Sequence, residues 1–353
     1  MGIIYFKQII YIVLSILAVC VTSSCTSDPL VKAEGDGVEL SFATYGATRA
    51  SVTTNIDTEG GRFAVCGDMI KADPGNSGGE RMVIFSNTEV EYDGRNWSYG
   101  ESRYWFPNYE YSFVAIHPAH LLSGSVYDSQ YSNSTLFLRY SIPVLDGDRI
   151  NRDKLTDIIA ATHRRKYGND TNSSASPVRL NFFHTMSRIN FLLNYEGQAD
   201  KVTITKIELE GIDKTATLTL VPAPLSASGT RTDDYSLSWN SISDRGTLIA
   251  DINVDVSNGD TQSLCPDNDA LFMIPQPDNK GIIMKISYIY DRGDDPEEQT
   301  MIAQNPIGGW EAGKIYSYSI ALNIVEEKVN MNFDVSVTDW KEGASTDISV
   351  PRK

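Results

Sequence analysis

The stretch Val329-Asn330-Met331-Asn332-Phe333-Asp334-Val335-Ser336-Val337 sets an apolar residue at every odd position and a polar one at every even position. Just before it, Tyr316, Tyr318, Ile320, Leu322 and Ile324 keep the same step of two. Successive side chains of an extended strand point to opposite faces, so this alternation puts one face on a core and the other in water. It is the mark of an antiparallel sheet. Working outward, Val38, Leu40 and Phe42 alternate with Glu39 and Ser41, and Tyr109, Tyr111, Phe113 and Ala115 alternate with Glu110, Ser112 and Val114. Asp93-Gly94, between Glu89-Val90-Glu91-Tyr92 and Trp97-Ser98-Tyr99, reads as a hairpin turn. One segment reads as a helix: Asp153 to Lys166, with Leu155, Ile158, Ile159 and Thr162 on a common face. The chain is therefore all-β, and its 353 residues suit two antiparallel sandwiches in series.

The composition is globular, with 41% hydrophobic and 22% charged residues. A net charge of −16 repels phosphate backbones and excludes a nucleic-acid partner. Lys7 is followed by the apolar run Ile9 to Val19 and then by Cys20-Val21-Thr22-Ser23-Ser24-Cys25. Residues 1–24 read as a secretory signal of the lipoprotein type, Cys25 as the lipidated first residue of the mature chain, and residues 25–37 as a linker. The exit resembles a bacterial lipobox with Thr22 where Leu is usual; Cys20 is the rival position, and a cleaved signal with an incidental Cys the plainer alternative. Removing the signal takes away Lys7 and nothing acidic, which moves the charge from −16 to −17. Cys66 and Cys265 then remain, far apart in sequence, and read as small buried hydrophobes rather than as a bridge. The polar stretch Glu196 to Lys201 places a domain junction near residue 197, dividing 38–196 from 197–353.

No catalytic constellation assembles, and no cofactor is expected. Gly75-Asn76-Ser77-Gly78-Gly79 resembles the nucleophile loop of chymotrypsin-like proteases, but His117, His120, His163 and His184 all lie downstream and Asn76 replaces the Asp. It reads as a Gly-rich surface loop. His117-Pro118-Ala119-His120 lacks a third ligand of matching spacing, so no metal site is assigned. Asp146-Gly147-Asp148 with Asn151 and Asp153 lacks the Gly and the terminal Glu of a calcium loop and reads as solvated. Arg292-Gly293-Asp294 is a turn between strands, and the sequons at Asn96, Asn133, Asn169 and Asn172 have no general use in a bacterial lipoprotein. The aromatic run Trp97, Tyr99, Tyr104, Trp105, Phe106, Tyr109 and Tyr111 reads as the inner face of a sandwich, with a sugar-stacking platform as the alternative. Trp105, Phe113 and Trp340 are expected to be buried.

The order of motifs from Val38 to Trp340 resembles the fimbrillin-like proteins of Bacteroidetes. Leu40-Ser41-Phe42 with Thr48-Arg49-Ala50 is similar to their first strand and its trailing residues. Arg103-Tyr104-Trp105-Phe106-Pro107 with Tyr111-Ser112-Phe113-Val114-Ala115, and Leu180-Asn181-Phe182-Phe183-His184 with Ser187-Arg188-Ile189, resemble two internal blocks. Trp310-Glu311-Ala312-Gly313-Lys314-Ile315-Tyr316 and Val337-Thr338-Asp339-Trp340 resemble the tail. The resemblance implies two tandem transthyretin-like sandwiches with Greek-key connections, an outer-membrane lipoprotein precursor, and a place in a cell-surface fimbrium serving adhesion. The implied partners are other fimbrial subunits in a homo- or hetero-polymer, membrane lipid through Cys25, and a host or bacterial surface ligand. It further implies strand exchange: a protease cuts after Arg49, the strand carrying Val38, Leu40 and Phe42 leaves its groove, and a neighbour's extended segment fills it. The alternative for Arg49 is a surface residue of an uncleaved anchor or tip subunit. The run Val329 to Val337, continued to Lys353, reads either as an internal strand pair or as a mobile arm. The alternative function is a carbohydrate-binding surface lipoprotein.

Overall fold

In the computed structural model, the described residues are 38–46, 56, 60–71, 79–123, 128–168, 177–226, 231–241, 245–266, 270–276, 281–290, 298–307, 309–325 and 328–340. The leader with Cys20 and Cys25, Arg49, Asn76 and Ser77, Arg292-Gly293-Asp294, and the sequons at Asn169 and Asn172 lie outside them. The described strands, numbered in chain order, form four sheets. Sheet I runs in the order β1 (Phe42–Gly46), β9 (Val178–His184), β8 (Ile159–Tyr167), β5 (Tyr109–His117), β2 (Arg62–Lys71), β3 (Arg81–Tyr92) and β4 (Trp97–Ser98), with the short β13 (Arg231–Thr232) also on β8. Sheet II is β14 (Tyr235–Ser241), β12 (Thr215–Pro222), β7 (Thr135–Ser141) and β6 (Ser129–Ser132). Sheet III is β16 (Thr261–Ser263), β10 (Ser187–Gly197), β20 (Lys314–Val325) and β21 (Lys328–Asp339), with β17 (Leu271–Met273) also on β10. Sheet IV is β15 (Arg245–Ser257), β11 (Lys201–Asp213), β18 (Ile283–Tyr290) and β19 (Glu298–Gln304). The protein is all-β.

Sheet I is covered on both faces. From its central strands Ala64, Cys66, Val114, Ile116 and Ala160 join the cluster that holds Leu136, Leu138, Leu218 and Leu220 of sheet II. Phe63, Val65, Phe113, Ala115, Ile159 and Ala161 join a second cluster with Leu40 and Phe42. Strands buried on both faces read as unbroken apolar runs, in which period two and period 3.6 cannot be told apart. That corrects the helix expected over Asp153 to Lys166. Arg152–Lys154 is a single 3-10 turn, and Ile159–Tyr167 is β8, buried from Ile159 through His163. Among the described residues the α-helix is one turn, His120–Ser123.

The expected division at residue 197 does not follow the sheets. β10 lies before it, yet pairs in parallel with β20 over its whole length, from Ser187↔Lys314 to Gly197↔Ile324. β12 lies after it, yet pairs with β7, from Thr215↔Ser141 to Leu220↔Leu136. Chain that leaves sheet IV at Asp213 therefore enters sheet II at Thr215. Near the end of β11, Gly211 at φ +75° lets the chain pass close to the Gly281 carbonyl, which a Cβ there would meet at 3.0 Å. The Asp93-Gly94 hairpin forms as expected between β3 and β4, with Tyr92 opposite Trp97.

Candidate functional site

The described chain begins as a strip laid into sheet I. The Trp105 N–H donates to the Val38 carbonyl at 2.9 Å, and the Leu40 N–H donates to the Arg103 carbonyl at 2.7 Å. Glu39 bridges antiparallel to Tyr104 and accepts from the Ser102 hydroxyl at 2.5 Å. The strip then turns to its second partner. The Val178 N–H donates to the Ser41 carbonyl at 2.7 Å, and β1 runs parallel to β9 from Phe42↔Val178 to Gly46↔Phe182. The regular strand thus starts at Phe42, later than the alternation of Val38, Leu40 and Phe42 suggests, because the earlier residues are shared with the 103–105 segment.

The side chains of the strip do the anchoring. Leu40 is 1% and Phe42 5% exposed, while Val38 is half-buried. The Phe42 ring stands 5.5 Å from Phe85, 5.6 Å from Tyr99, 5.9 Å from Phe63 and 6.1 Å from Phe113, all edge-on. Burying Leu40 and Phe42 contributes roughly 1.5–3 kcal/mol each, and each edge-on ring pair adds about 0.5–1.5 kcal/mol. Gly67 makes the room, since a Cβ there would meet the Phe113 ring at 2.9 Å. Tyr99 closes the site by donating its hydroxyl to the Leu40 carbonyl at 2.6 Å. Burial pushes that phenol up to about 12, so it stays a donor across the neutral range. Trp97 Nε1 donates to Thr44 Oγ1 at 3.2 Å.

Three of the seven rings of the aromatic run lie in the core, and Tyr99, Tyr104, Phe106 and Tyr109 are half-buried. Trp97, Trp105 and Tyr111 are buried, and Trp105 packs against Tyr111 at 4.7 Å, Tyr167 at 5.4 Å and the Arg165 guanidinium at 5.1 Å. Trp97, Trp105 and Tyr111 are packed against other rings and offer no open face to a sugar. Phe113 and Trp340 are buried as expected. Trp340 stacks on the His184 ring at 3.8 Å, and its N–H donates to the Gly313 carbonyl at 2.8 Å. Val329 to Val337 lie in β21, which pairs with β20 from Val325↔Lys328 to Lys314↔Asp339. This is the internal strand pair of the two readings.

The other motifs serve the fold. His117 Nδ1 donates to the Arg62 carbonyl at 2.7 Å, while Asp148 pairs with Lys214 at 3.2 Å. Among the described residues no group of three His, Cys, Asp or Glu could hold a metal ion. Cys66 and Cys265 are buried and not joined in a disulfide, and burial pushes the Cys66 thiol up to about 11. The residues that sequence reasoning missed are those forming the seat: Arg103, the 178–182 edge of β9, and Gly67. Leu180 to His184 is legible in the sequence as a strand, but nothing local makes it the partner of the strip.

In this all-β chain the first described segment fills an apolar groove at the edge of sheet I. The chain belongs to the fimbrillin-like family, whose model matches residues 48–340. A fimbrial protein from Bacteroides vulgatus is similar in structure, with a TM-score of 0.57 at 12% identity over 86% of this chain and 99% of that one. A candidate cell adhesion protein from Bacteroides ovatus aligns with a TM-score of 0.49 at 14% identity, over 86% and 98% of the two chains. The tip fimbrial protein Mfa3 from Porphyromonas gingivalis, truncated at its C-terminus, aligns with a TM-score of 0.38 at 10% identity, over 86% and 100%. No protein of curated function matches the sequence. Membership supports the role of a fimbrial subunit at the cell surface, and sets the chain among structural subunits rather than enzymes.

Proposed function

We propose that the protein is exported, anchored in the outer membrane through lipid on Cys25, and built into a surface fimbrium by exchange of its first strand. The observation that carries this reading is the seating of Leu40 and Phe42. Two apolar side chains two residues apart fill a groove of rings, and the strip that bears them joins β2 only through residues 47–61. Arg49 stands in that connection, among small residues that suit a protease. While the connection is intact, the strip competes intramolecularly with any incoming segment. A cut after Arg49 removes that advantage, and an extended segment of another subunit with apolar residues at the same spacing takes the seat by main-chain pairing. The halves on either side of residue 197 are read as two transthyretin-like sandwiches with Greek-key connections, exchanging β10 and β12 between them.

Limited trypsin treatment of the purified chain should clip after Arg49 and yield ladders on a non-boiled gel, and Arg49→Ala should block both. A clipped protein that stays monomeric at high concentration overturns the exchange and favours an anchor or cap. Metabolic acyl labelling should be lost in Cys25→Ala and kept in Cys20→Ala; labelling that survives Cys25→Ala overturns the anchor.

A further inference from the structure

β8 and β9 begin as neighbours and then part. They pair at Ile159↔His184 and Ala160↔Phe183, and the Thr185 N–H donates to the Ile158 carbonyl at 2.9 Å. Beyond that point the same edge of β8 turns to another piece of chain, with Arg164↔Thr232 and Arg165↔Arg231. Main-chain direction alternates along a strand, so Thr185 and Phe183 address β8 while Val178, which donates to Ser41, addresses β1. The 231–235 segment and β1 therefore flank β9 on opposite edges.

The segment is fastened to both arms of the fork. Asp233 Oδ1 accepts from His163 Nδ1 on β8 at 2.7 Å, and its Oδ2 accepts from Asn181 Nδ2 on β9 at 2.8 Å. Thr162 Oγ1 donates to the Asp233 carbonyl at 3.0 Å, and the Tyr235 ring lies flat on Phe183 at 3.7 Å and 5°. The Ala223 N–H donates to the Asp234 carbonyl at 2.8 Å, which ties the segment back to β12. Extending the β8–β9 register instead would set Arg164 opposite Arg179, a like-charge pair that a sheet disfavours.

We propose that residues 231–235 are a wedge that keeps β9 off β8, with Asp233 the positioning residue that fixes the outer edge of β9 for the strand paired to it. The wedge stands on the fork alone; its consequence for assembly rests on the strand-exchange reading. When β1 leaves, the bond from Asn181 to Asp233 still ties residues 178–182 to the 231–235 segment, and the Phe183–Tyr235 stack lies beside it. With that support the vacated edge stays in register and receives an extended segment without first reordering. Without it, residues 178–182 are no longer fixed on the β8 side, and the edge that faces β1 loses its register.

The test uses the full chain and two variants. Asn181 is exposed, so Asn181→Ala cuts only the β9 end of the tether, while Asp233→Ala cuts both ends. Amide hydrogen exchange should speed up roughly tenfold or more over residues 178–184 and 38–46 in both variants, with the β2 and β5 peptides unchanged. Unchanged exchange over 178–184 in Asn181→Ala overturns the wedge, as does a speed-up spread evenly over sheet I. In a second arm, a labelled synthetic peptide of residues 38–46 is titrated onto protein clipped after Arg49. Asn181→Ala should bind it about tenfold more weakly. If the clipped wild type takes no peptide, the exchange reading fails, while the hydrogen-exchange arm still decides the wedge.

Discussion

The first and last described strands are held in opposite ways. The segment Val38–Gly46 divides its main-chain pairing between the 103–105 segment and β9, and Leu40 and Phe42 are driven deep among the rings of sheet I. β21 has a ladder to β20 with no register shift along its twelve residues, yet Asp334, Ser336, Thr338 and Asp339 are exposed. A segment bound by two deep side chains can be replaced by any extended chain that offers the same two at the same spacing. One bound by its ladder depends on length and register more than on which residues it carries.

The largest expected effect tests the first half of that contrast. Phe42→Ala should cost about 3–5 kcal/mol of the seat's stability, as for other buried aromatics cut to Ala. It should appear as faster amide exchange in 38–46 and along 178–182. Unchanged exchange in both would mean that Phe42 does not anchor the strip. On the other strand, Phe333 is half-buried and stacks on Tyr318 at 5.3 Å. Phe333→Ala should lower the urea unfolding free energy by only about 1–2 kcal/mol, the share of a partly covered ring. A loss as large as that at Phe42 would erase the distinction.

The sequence shows the same asymmetry. Strands with one wet face, such as β20 and β21, are legible from alternation alone. β8 is not, because Ile158, Ile159, Ala160 and Ala161 are buried on both sides and carry no period. Leu40 and Phe42 are legible as strand residues, and Trp105 and Phe113 as core, from residue type and spacing. What receives the strip is not, since Arg103, Gly67 and β9 come together only through pairings across many residues. Nor does any local signal say that β10 joins β20, or that β12 returns to β7. The polar stretch after Glu196 is the turn between β10 and β11, and the sheets on its two sides share β10 and β12 through pairings that no local pattern announces.

A smaller effect separates the packing of the strip from its hydrogen bonds. Tyr99→Phe keeps the ring beside Phe42 and removes only the hydroxyl, which donates to the Leu40 carbonyl and accepts a longer bond, 3.4 Å, from the Arg103 N–H. It should cost about 0.5–1.5 kcal/mol, the net value of the short bond to Leu40, the longer one adding little. Exchange over 38–46 should quicken less than in Phe42→Ala. If the two variants opened the strip equally, the closing bond and not the aromatic seat would govern release.

The smallest effect is expected at Val337. It lies opposite Tyr316 in the ladder, and 47% of it is exposed. Val337→Thr keeps the branched Cβ, so the strand's rotamer preference is retained, and it adds a hydroxyl where water already reaches. The ladder does not change, because main-chain groups make it. Stability should therefore stay within about 0.5 kcal/mol of the parent, as for most surface changes. Sedimentation velocity on the same samples should show one unchanged species. A loss well above 1 kcal/mol, or a shift in sedimentation, would show that Val337 is covered in solution. The side chains of β21 would then matter as those of β1 do, and the contrast between the two strands would fall.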